Sequence, residues 1–349
     1  MKITFILPGI GLTGGVKVAF EYANHLQARG HEVSIVYPLI LLPLLIRDPW
    51  RTSKGIVRTI LEGNKVKWFD LKANLVRTPT LAERYIPDAD IIVATWWGTV
   101  RYVNSYGEDK GKKFYLIQHY ETWDGPKEMV DKTYKLGLHN IVISSWLKGI
   151  LRNELGAKVE ALIPDAVNPK EFYPEHAVRD GSEIRILVPY RKLEWKGTED
   201  GVKAFEIVRK KHKNAKLVMF GFRKGKDVPE YAEFHENITT SELRSLYNSC
   251  DIFCYPSRME GFGLPPMEAM ACRIPVVTTE VGGIKDYAMP RKTALISQPK
   301  DFKALARNMI ELIENPQKKD RIAKAGYRHI QQFTWEKSTD KLEKLFMQV

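Results

Sequence analysis

The chain alternates short β-prone apolar runs with amphipathic stretches, and it does so twice. The first series holds KITFILP, a helical pattern over about 14–29, then HEVSIVYP, VKWFDL, DIIVATWW, KFYLIQH and NIVISS. The second holds EIRILVPY, AKLVMFGF, DIFCYPS, IPVVTTE and TALISQP, each followed by a helical pattern or a Gly-rich turn. Such alternation specifies parallel sheet wrapped by helices. Between the two series lies VEALIPDAVNPKEFYP, rich in Pro and turn formers, which puts a domain boundary near Asp165–Pro174. With 349 residues the chain exceeds what one ordinary core takes up, so two α/β domains are expected. The last stretch, FTWEKSTDKLEKLFMQV, lets Thr334 cap a helix with Leu342, Leu345 and Phe346 on one face, which needs a surface to pack on.

Composition narrows the class. Hydrophobic residues make up 44% and charged residues 28%, and no apolar run approaches the ~20 residues of a membrane-spanning helix. The opening MKITFILPG is too short for a signal-peptide core and lacks a small-residue cleavage site, so it reads as a first strand in a cytoplasmic protein. Cys250, Cys254 and Cys272 form no repeated pattern, which points to small core residues rather than disulfides or zinc. The net charge of +12 suits nucleic acid, anionic lipid or phosphate-bearing substrates. In residues 1–174 the basic excess is concentrated between Arg47 and Arg77. There PLILLPLLI is followed by Trp50 with Arg47, Arg51, Lys54 and Arg58, a pattern shared by packed core and by an interfacial segment on an anionic membrane through residues 38–58.

Residues 9–20, GIGLTGGVKVAF, spell G-x-G-x-x-G at a helix start. A dinucleotide site needs an acid at the end of the second strand. That strand ends in Tyr37-Pro38, and Glu32 stands at its beginning, so NAD or FAD is not expected. What remains is a tight turn presenting helix N–H groups to an anion or a sugar hydroxyl.

The stretch SRMEGFGLPPMEAMACRIPVV carries more chemistry. Pro265 and Pro266 suit a first helical turn and leave the N–H groups of Phe262, Gly263 and Leu264 at its positive end, where a phosphate is welcome. Glu268, about a turn inside, can accept two hydrogen bonds from a diol such as a ribose, while Glu260 in the loop is expected to face a cleft mouth. Carboxylates paired for hydrolysis would instead need to oppose each other at set separations. The D-x-D of Asp88–Asp90 precedes its strand, the wrong edge for a ligand in a parallel sheet, so no metal site is read there.

EGFGLPPMEAMACRIPVV resembles the E-x7-E signature of the family 4 retaining glycosyltransferases. GGVKVAFEYANHLQARGHEVSIV, IPDAVNPKEFYP, YRKLEWKG, VGGIKDYA and FTWEK agree in order over nearly the whole chain. The resemblance implies a GT-B architecture: an acceptor-binding Rossmann-like domain at 1–165 facing, across a cleft, a nucleotide-sugar-binding one at 166–332. A helix at 333–349 would pack back on the first. It implies that Arg191 and Lys196 hold the donor diphosphate, Glu268 the ribose, and Glu260 the transferred sugar. Gly261, Phe262, Gly263, Leu264, Gly14 and Gly15 would approach sugar and phosphate, and His119 the donor sugar.

The implied reaction is metal-independent and retaining. It moves a sugar from a UDP- or GDP-type donor to a glycan or lipid-linked acceptor, without cofactor or nucleic acid, in the cytoplasm or at the inner face of the membrane. A phosphorylase or synthase of the same fold, and a sugar-nucleotide-binding protein without activity, are the rival readings. Three departures stand out: Phe222-Arg223 where a second glycine is common, no glycine in EFHENITTSEL, and Asp286 where Glu is commoner.

Overall fold

The computed structural model describes residues 1–41, 65–175 and 181–349. The proposed membrane segment, from residue 42 onward, lies outside them. The chain divides into two compact units, Met1–Asp165 with Trp335–Val349, and Ala166–Thr334.

The first unit is built on a parallel sheet in the order β3-β2-β1-β4-β5-β6-β7. Its strands are β1 (Lys2–Ile6), β2 (Glu32–Pro38), β3 (Asn74–Thr78), β4 (Ile91–Ala94), β5 (Lys112–Ile117), β6 (His139–Val142) and β7 (Ala161–Leu162). Helices α1 (Gly14–Ala28), α2 (Trp97–Ser105), α3 (Lys127–Thr133) and α4 (Ser145–Gly149) follow strands of this sheet. The second unit repeats the plan. Its parallel sheet runs β10-β9-β8-β11-β12-β13, from β8 (Ile184–Pro189), β9 (Ala215–Gly221), β10 (Glu233–Glu236), β11 (Ile252–Tyr255), β12 (Val276–Thr279) and β13 (Leu295–Ser297). Its helices are α5 (Thr198–Lys211), α6 (Thr240–Asn248), α7 (Leu264–Ala271), α8 (Phe302–Glu314) and α9 (Pro316–Ile330). Both units thus have the Rossmann-like, doubly wound order. In it the chain reverses direction across the sheet between β1 and β4, and again between β8 and β11, and ligands of such sheets gather at those points, beyond the carboxyl ends of the strands.

The interior strands are the apolar runs of the sequence. Phe5, Ile35, Val93, Phe114 and Ile141 are buried in the first sheet, and Leu187, Leu217, Phe253 and Val277 in the second. Cys250, Cys254 and Cys272 are buried, free thiols. The C-terminal helix, Trp335–Gln348, belongs to the first unit. Trp335 meets Tyr22 edge-on at 5.3 Å, Phe346 meets Phe114 at 4.8 Å, and Leu342 is buried with them. Burying side chains of this size stabilises by about 1.5–3 kcal/mol each. Arg29 and His31 fix the register of the helix through Glu343, at 2.6 and 2.7 Å.

VKWFDL is not a strand. Trp68 and Phe69 each pack 5.4 Å from the ring of Phe20 on α1, and the Trp68 indole donates to the Ile10 carbonyl at 3.0 Å. The strand comes later, as NLVRT, at the sheet edge beside β2. Gly9 and Gly11 have neither a left-handed φ nor a neighbour that an added Cβ would meet, so they are not the steric hinge that the motif suggested.

Candidate functional site

In the second unit, three segments converge beyond the carboxyl ends of β8, β11 and β12. After β8 the chain passes Arg191 and a short turn holding Lys196, then reverses at Gly197 to enter α5. Gly197 has a φ of 62°, and a Cβ there would stand 2.0 Å from the Pro256 carbonyl oxygen, so glycine is what lets this turn lie against the end of β11. The contact is stapled further. Arg258 donates to both oxygens of Asp200 at 2.7 and 3.0 Å, and the Arg258 N–H donates to the Trp195 carbonyl.

That staple delivers Lys196 to Glu260. The ammonium donates to the two carboxylate oxygens at 2.8 and 3.0 Å, and the hydroxyls of Tyr255 and Ser257 donate to one of them at 2.6 and 2.7 Å. Glu260 is only 5% exposed. It therefore does not stand open at a loop mouth, as its sequence position suggested; it is a buried, fourfold-bonded carboxylate. Burial alone would raise its pKa, but the Lys196 charge and the hydroxyl donors outweigh that and hold it below the ordinary value.

The next residues form the N-terminus of α7. Gly263, at φ 92°, turns the chain into the helix, with Pro265 and Pro266 in its first turn. Among the described residues none accepts from the N–H groups of Phe262, Gly263 or Leu264. Those donors stand at the positive end of the helix dipole, where an anion is stabilised. The turn is braced from β12 by Val281–Gly283. A Cβ on Gly282, φ 46°, would lie 1.7 Å from the Glu260 carbonyl oxygen, and one on Gly283 would lie 2.6 Å from that of Gly261. Tyr287 donates to the Gly263 carbonyl at 2.7 Å. Glu268, a turn into α7 and 9% exposed, accepts from Tyr247 at 3.3 Å. Arg191 is exposed, and among the described residues none pairs with its guanidinium.

Sequence reasoning missed the tyrosines Tyr247, Tyr255 and Tyr287. They read as core aromatics, yet each turns its hydroxyl onto the Glu260–Glu268 segment. The backbone of EFHENITTSEL takes its left-handed turn at Asn237, φ 51°, a residue that tolerates αL better than most. Beyond Phe222-Arg223 the chain comes close at Gly225, where a Cβ would lie 1.7 Å from the Tyr190 hydroxyl oxygen.

In the first unit, α1 begins at Gly14 with the Thr13 hydroxyl accepting from the Val16 N–H at 3.3 Å. Gly15 lies against Gln118, just beyond β5: its carbonyl accepts from the Gln118 amide at 3.1 Å, and a Cβ would stand 3.3 Å from that side chain. His119 follows, edge-on to Trp123 and Trp146 at 6.2 and 5.8 Å. The α1 N-terminus and His119 thus share one corner of this unit. Beside it lies Glu121, whose carboxylate accepts from the Trp97 N–H at 2.9 Å. Burial pushes that carboxyl up to about 8, the Trp97 N–H opposing and Asp124 adding to the rise. Asp88 and Asp90 lie at the opposite edge, taken up by Lys110 at 2.6 Å and the Lys2 N–H at 2.7 Å. Among the described residues no cluster of His, Cys, Asp and Glu suits a metal ion, and no helix is long and apolar enough to cross a membrane. Glu32 starts β2 and Tyr37-Pro38 end it, so no acid stands where a dinucleotide ribose would need one.

Two solved structures define the class of the fold. Sucrose-phosphate synthase from Thermosynechococcus elongatus superposes with a TM-score of 0.77 over 99% of this chain and 98% of its own, at 18% identity. HepE of Anabaena, in complex with UDP and glucose, does so with a TM-score of 0.75 over all of both chains, at 14% identity. The architecture is the two-domain GT-B fold. Residues 169–329 match the sequence model of the family "Glycosyl transferases group 1". Among curated relatives, the capsular polysaccharide biosynthesis glycosyltransferase CapM of Staphylococcus aureus is 30% identical over 155 residues, 40% of this chain and 41% of that one. The matched stretch spans less than two thirds of the length of such relatives.

Proposed function

We propose that this protein is a metal-independent, retaining glycosyltransferase that moves a sugar from a nucleoside diphosphate donor to a hydroxyl of a glycan or glycolipid acceptor. The observation that carries the reading is the second-unit constellation. Unbonded N–H groups at the start of α7 adjoin the Lys196–Glu260 pair, with the exposed Arg191 one turn of chain away and Glu268 inside the helix. A diphosphate fits the N–H groups and cations, and a ribose diol fits Glu268. HepE, of like fold, holds UDP and glucose, and CapM is named for polysaccharide biosynthesis, which supports a UDP-type donor and a glycan product.

In this reading the donor changes the partners of Lys196. The ammonium turns from Glu260 toward the phosphates, and Glu260 is released to the hydroxyls of the sugar. As the sugar–phosphate bond loosens, charge grows on the departing phosphate, where Arg191, Lys196 and the helix terminus stabilise it. The acceptor hydroxyl adds to the anomeric carbon from the face that the phosphate leaves, and a phosphate oxygen takes its proton. The resemblance to the family assigns Gly14, Gly15 and His119 to the sugar and phosphate. An anionic membrane contact through residues 38–58 belongs to the same proposal and is tested by vesicle flotation across a salt series.

Saturation-transfer NMR with UDP, GDP, dTDP and NAD, with EDTA present, tests the reading. Saturation of a nucleoside diphosphate is expected. Saturation of NAD alone, or binding of a diphosphate only after Mg²⁺ is restored, overturns it. The anomeric configuration of the product, read by proton NMR during turnover, then separates a retaining transferase from an inverting one. Binding without turnover identifies a binding protein.

A further inference from the structure

Among the described tryptophans Trp123 alone is exposed, at 46%; Trp96 and Trp97 beside it are 7% and 6% exposed. Its neighbours on the chain are nevertheless fixed. Asp124 accepts from the indole N–H groups of Trp96 at 2.9 Å and Trp97 at 3.4 Å, and its own N–H closes a turn onto the Glu121 carbonyl at 3.0 Å. Gly125 lies flat on Trp97, where a Cβ would come within 2.6 Å of the indole. Two buried tryptophans thus anchor the turn that holds a third in water. The turn thus presents a large exposed aromatic beyond the carboxyl end of a parallel strand, the end of such a sheet where ligands gather.

We infer that Trp123 is the stacking platform for a pyranose ring of the acceptor glycan. The inference rests on the glycosyltransferase reading above and adds the chemistry of the acceptor. The indole face is electron-rich and apolar, and one face of a pyranose presents a patch of weakly positive C–H groups, so the two stack and exclude water while the hydroxyl rim stays polar. The His119 ring, perpendicular to that of Trp123, is held with its Nδ1 3.1 Å from the Tyr120 carbonyl oxygen. Local charge selects against the obvious competitors. With the Glu121 carboxyl held largely protonated, residues 118–131 carry Asp124, Glu128 and Asp131 against Lys127. A phosphate or an anionic lipid headgroup is repelled there, whereas a neutral ring rich in hydroxyls is not.

The test uses the full chain with methyl α-D-mannopyranoside, maltotriose and an α-linked mannotriose as probes in saturation-transfer NMR, alongside UDP and GDP. The wild type is expected to saturate the ring C–H protons of at least one saccharide. Trp123→Ala should weaken that saccharide about tenfold, while Trp123→Phe, which keeps an aromatic face, stays within about threefold. Nucleotide binding should be equal in all three proteins. Failure of the wild type to bind any of the saccharides, equal affinity in Trp123→Ala, or a parallel loss of nucleotide binding overturns the inference. If neither UDP nor GDP binds the wild type while Trp123→Ala still discriminates the saccharide, the donor reading fails and the sugar platform stands.

Discussion

Replacing Lys196 by Ala leaves Glu260 buried with its counter-charge gone, and the consequence can be worked from the geometry. Removing one partner of a buried pair costs about 3–5 kcal/mol, because the remaining charge is stranded. Here Tyr255 and Ser257 still donate to the carboxylate, and the Lys196 side chain is 25% exposed, so the pair is partly screened by water. About 2–3 kcal/mol is the reasoned loss at neutral pH. In a unit spanning Ala166–Thr334, each kcal/mol moves Tm by about 2–4 °C, so a fall of about 4–12 °C is expected.

The dependence on pH carries the sharper signature. In the wild type the Glu260 pKa lies below its unfolded value, so its stabilisation is present above that value and is lost as pH falls through the folded one. In the variant burial dominates and the folded pKa rises. The penalty is then absent below the unfolded pKa of about 4.3 and grows as pH climbs above it. Differential scanning fluorimetry at pH 4, 5.5 and 7 should show the two proteins diverging with pH, and Lys196→Ala/Glu260→Gln should recover most of the loss. An equal Tm deficit at every pH, or a double variant no better than the single one, would refute the argument that Lys196 neutralises a buried charge.

Glu268→Ala should weaken UDP or GDP by about tenfold or more in calorimetry, while Glu260→Gln keeps nucleotide affinity and lowers turnover; equal losses would show that the two carboxylates do not divide their work. Gly282→Ala places a Cβ against the Glu260 backbone at a left-handed φ and should cost at least about 3 kcal/mol in urea unfolding, whereas Gly9→Ala and Gly11→Ala should stay within about 0.5 kcal/mol. Asp165, 3% exposed, has its carboxyl pushed up to about 8 by burial. The folded state therefore holds a proton that the unfolded chain releases near pH 4, and stability falls as pH rises from about 4 to 8. Asp165→Asn should remove that slope and raise Tm at pH 8 above that of the wild type; an unchanged slope would count against it.

The sequence by itself determined the elements whose reason is local. Interior strands such as those in DIFCYPS and IPVVTTE are runs of apolar and β-branched residues because both faces of the sheet are covered, and such a run is visible without a partner. Pro265-Pro266 marks a helix start because proline's missing donor and fixed φ suit the first turn. Edge strands lack this mark. NLVRT and EFHE are mixed in polarity since one side of each meets water, so neither stands out as a strand, whereas the aromatic run VKWFDL reads as one although its rings are spent on Phe20.

The E-x7-E spacing brought Glu260 and Glu268 to attention, but which of them is paired was a matter of distance in space. Lys196 lies 64 residues from Glu260 in sequence and reaches it only because Gly197 lets the backbone close on Pro256. The Tyr247, Tyr255 and Tyr287 hydroxyls, Gln118 under Gly15, and the Trp96–Asp124 anchor beneath Trp123 were decided in the same way. Periodicity and capping act over a few residues and are written into the chain locally. A buried charge, a close glycine contact or a hydroxyl aimed at a carboxylate depends on segments that meet only when the sheet has formed.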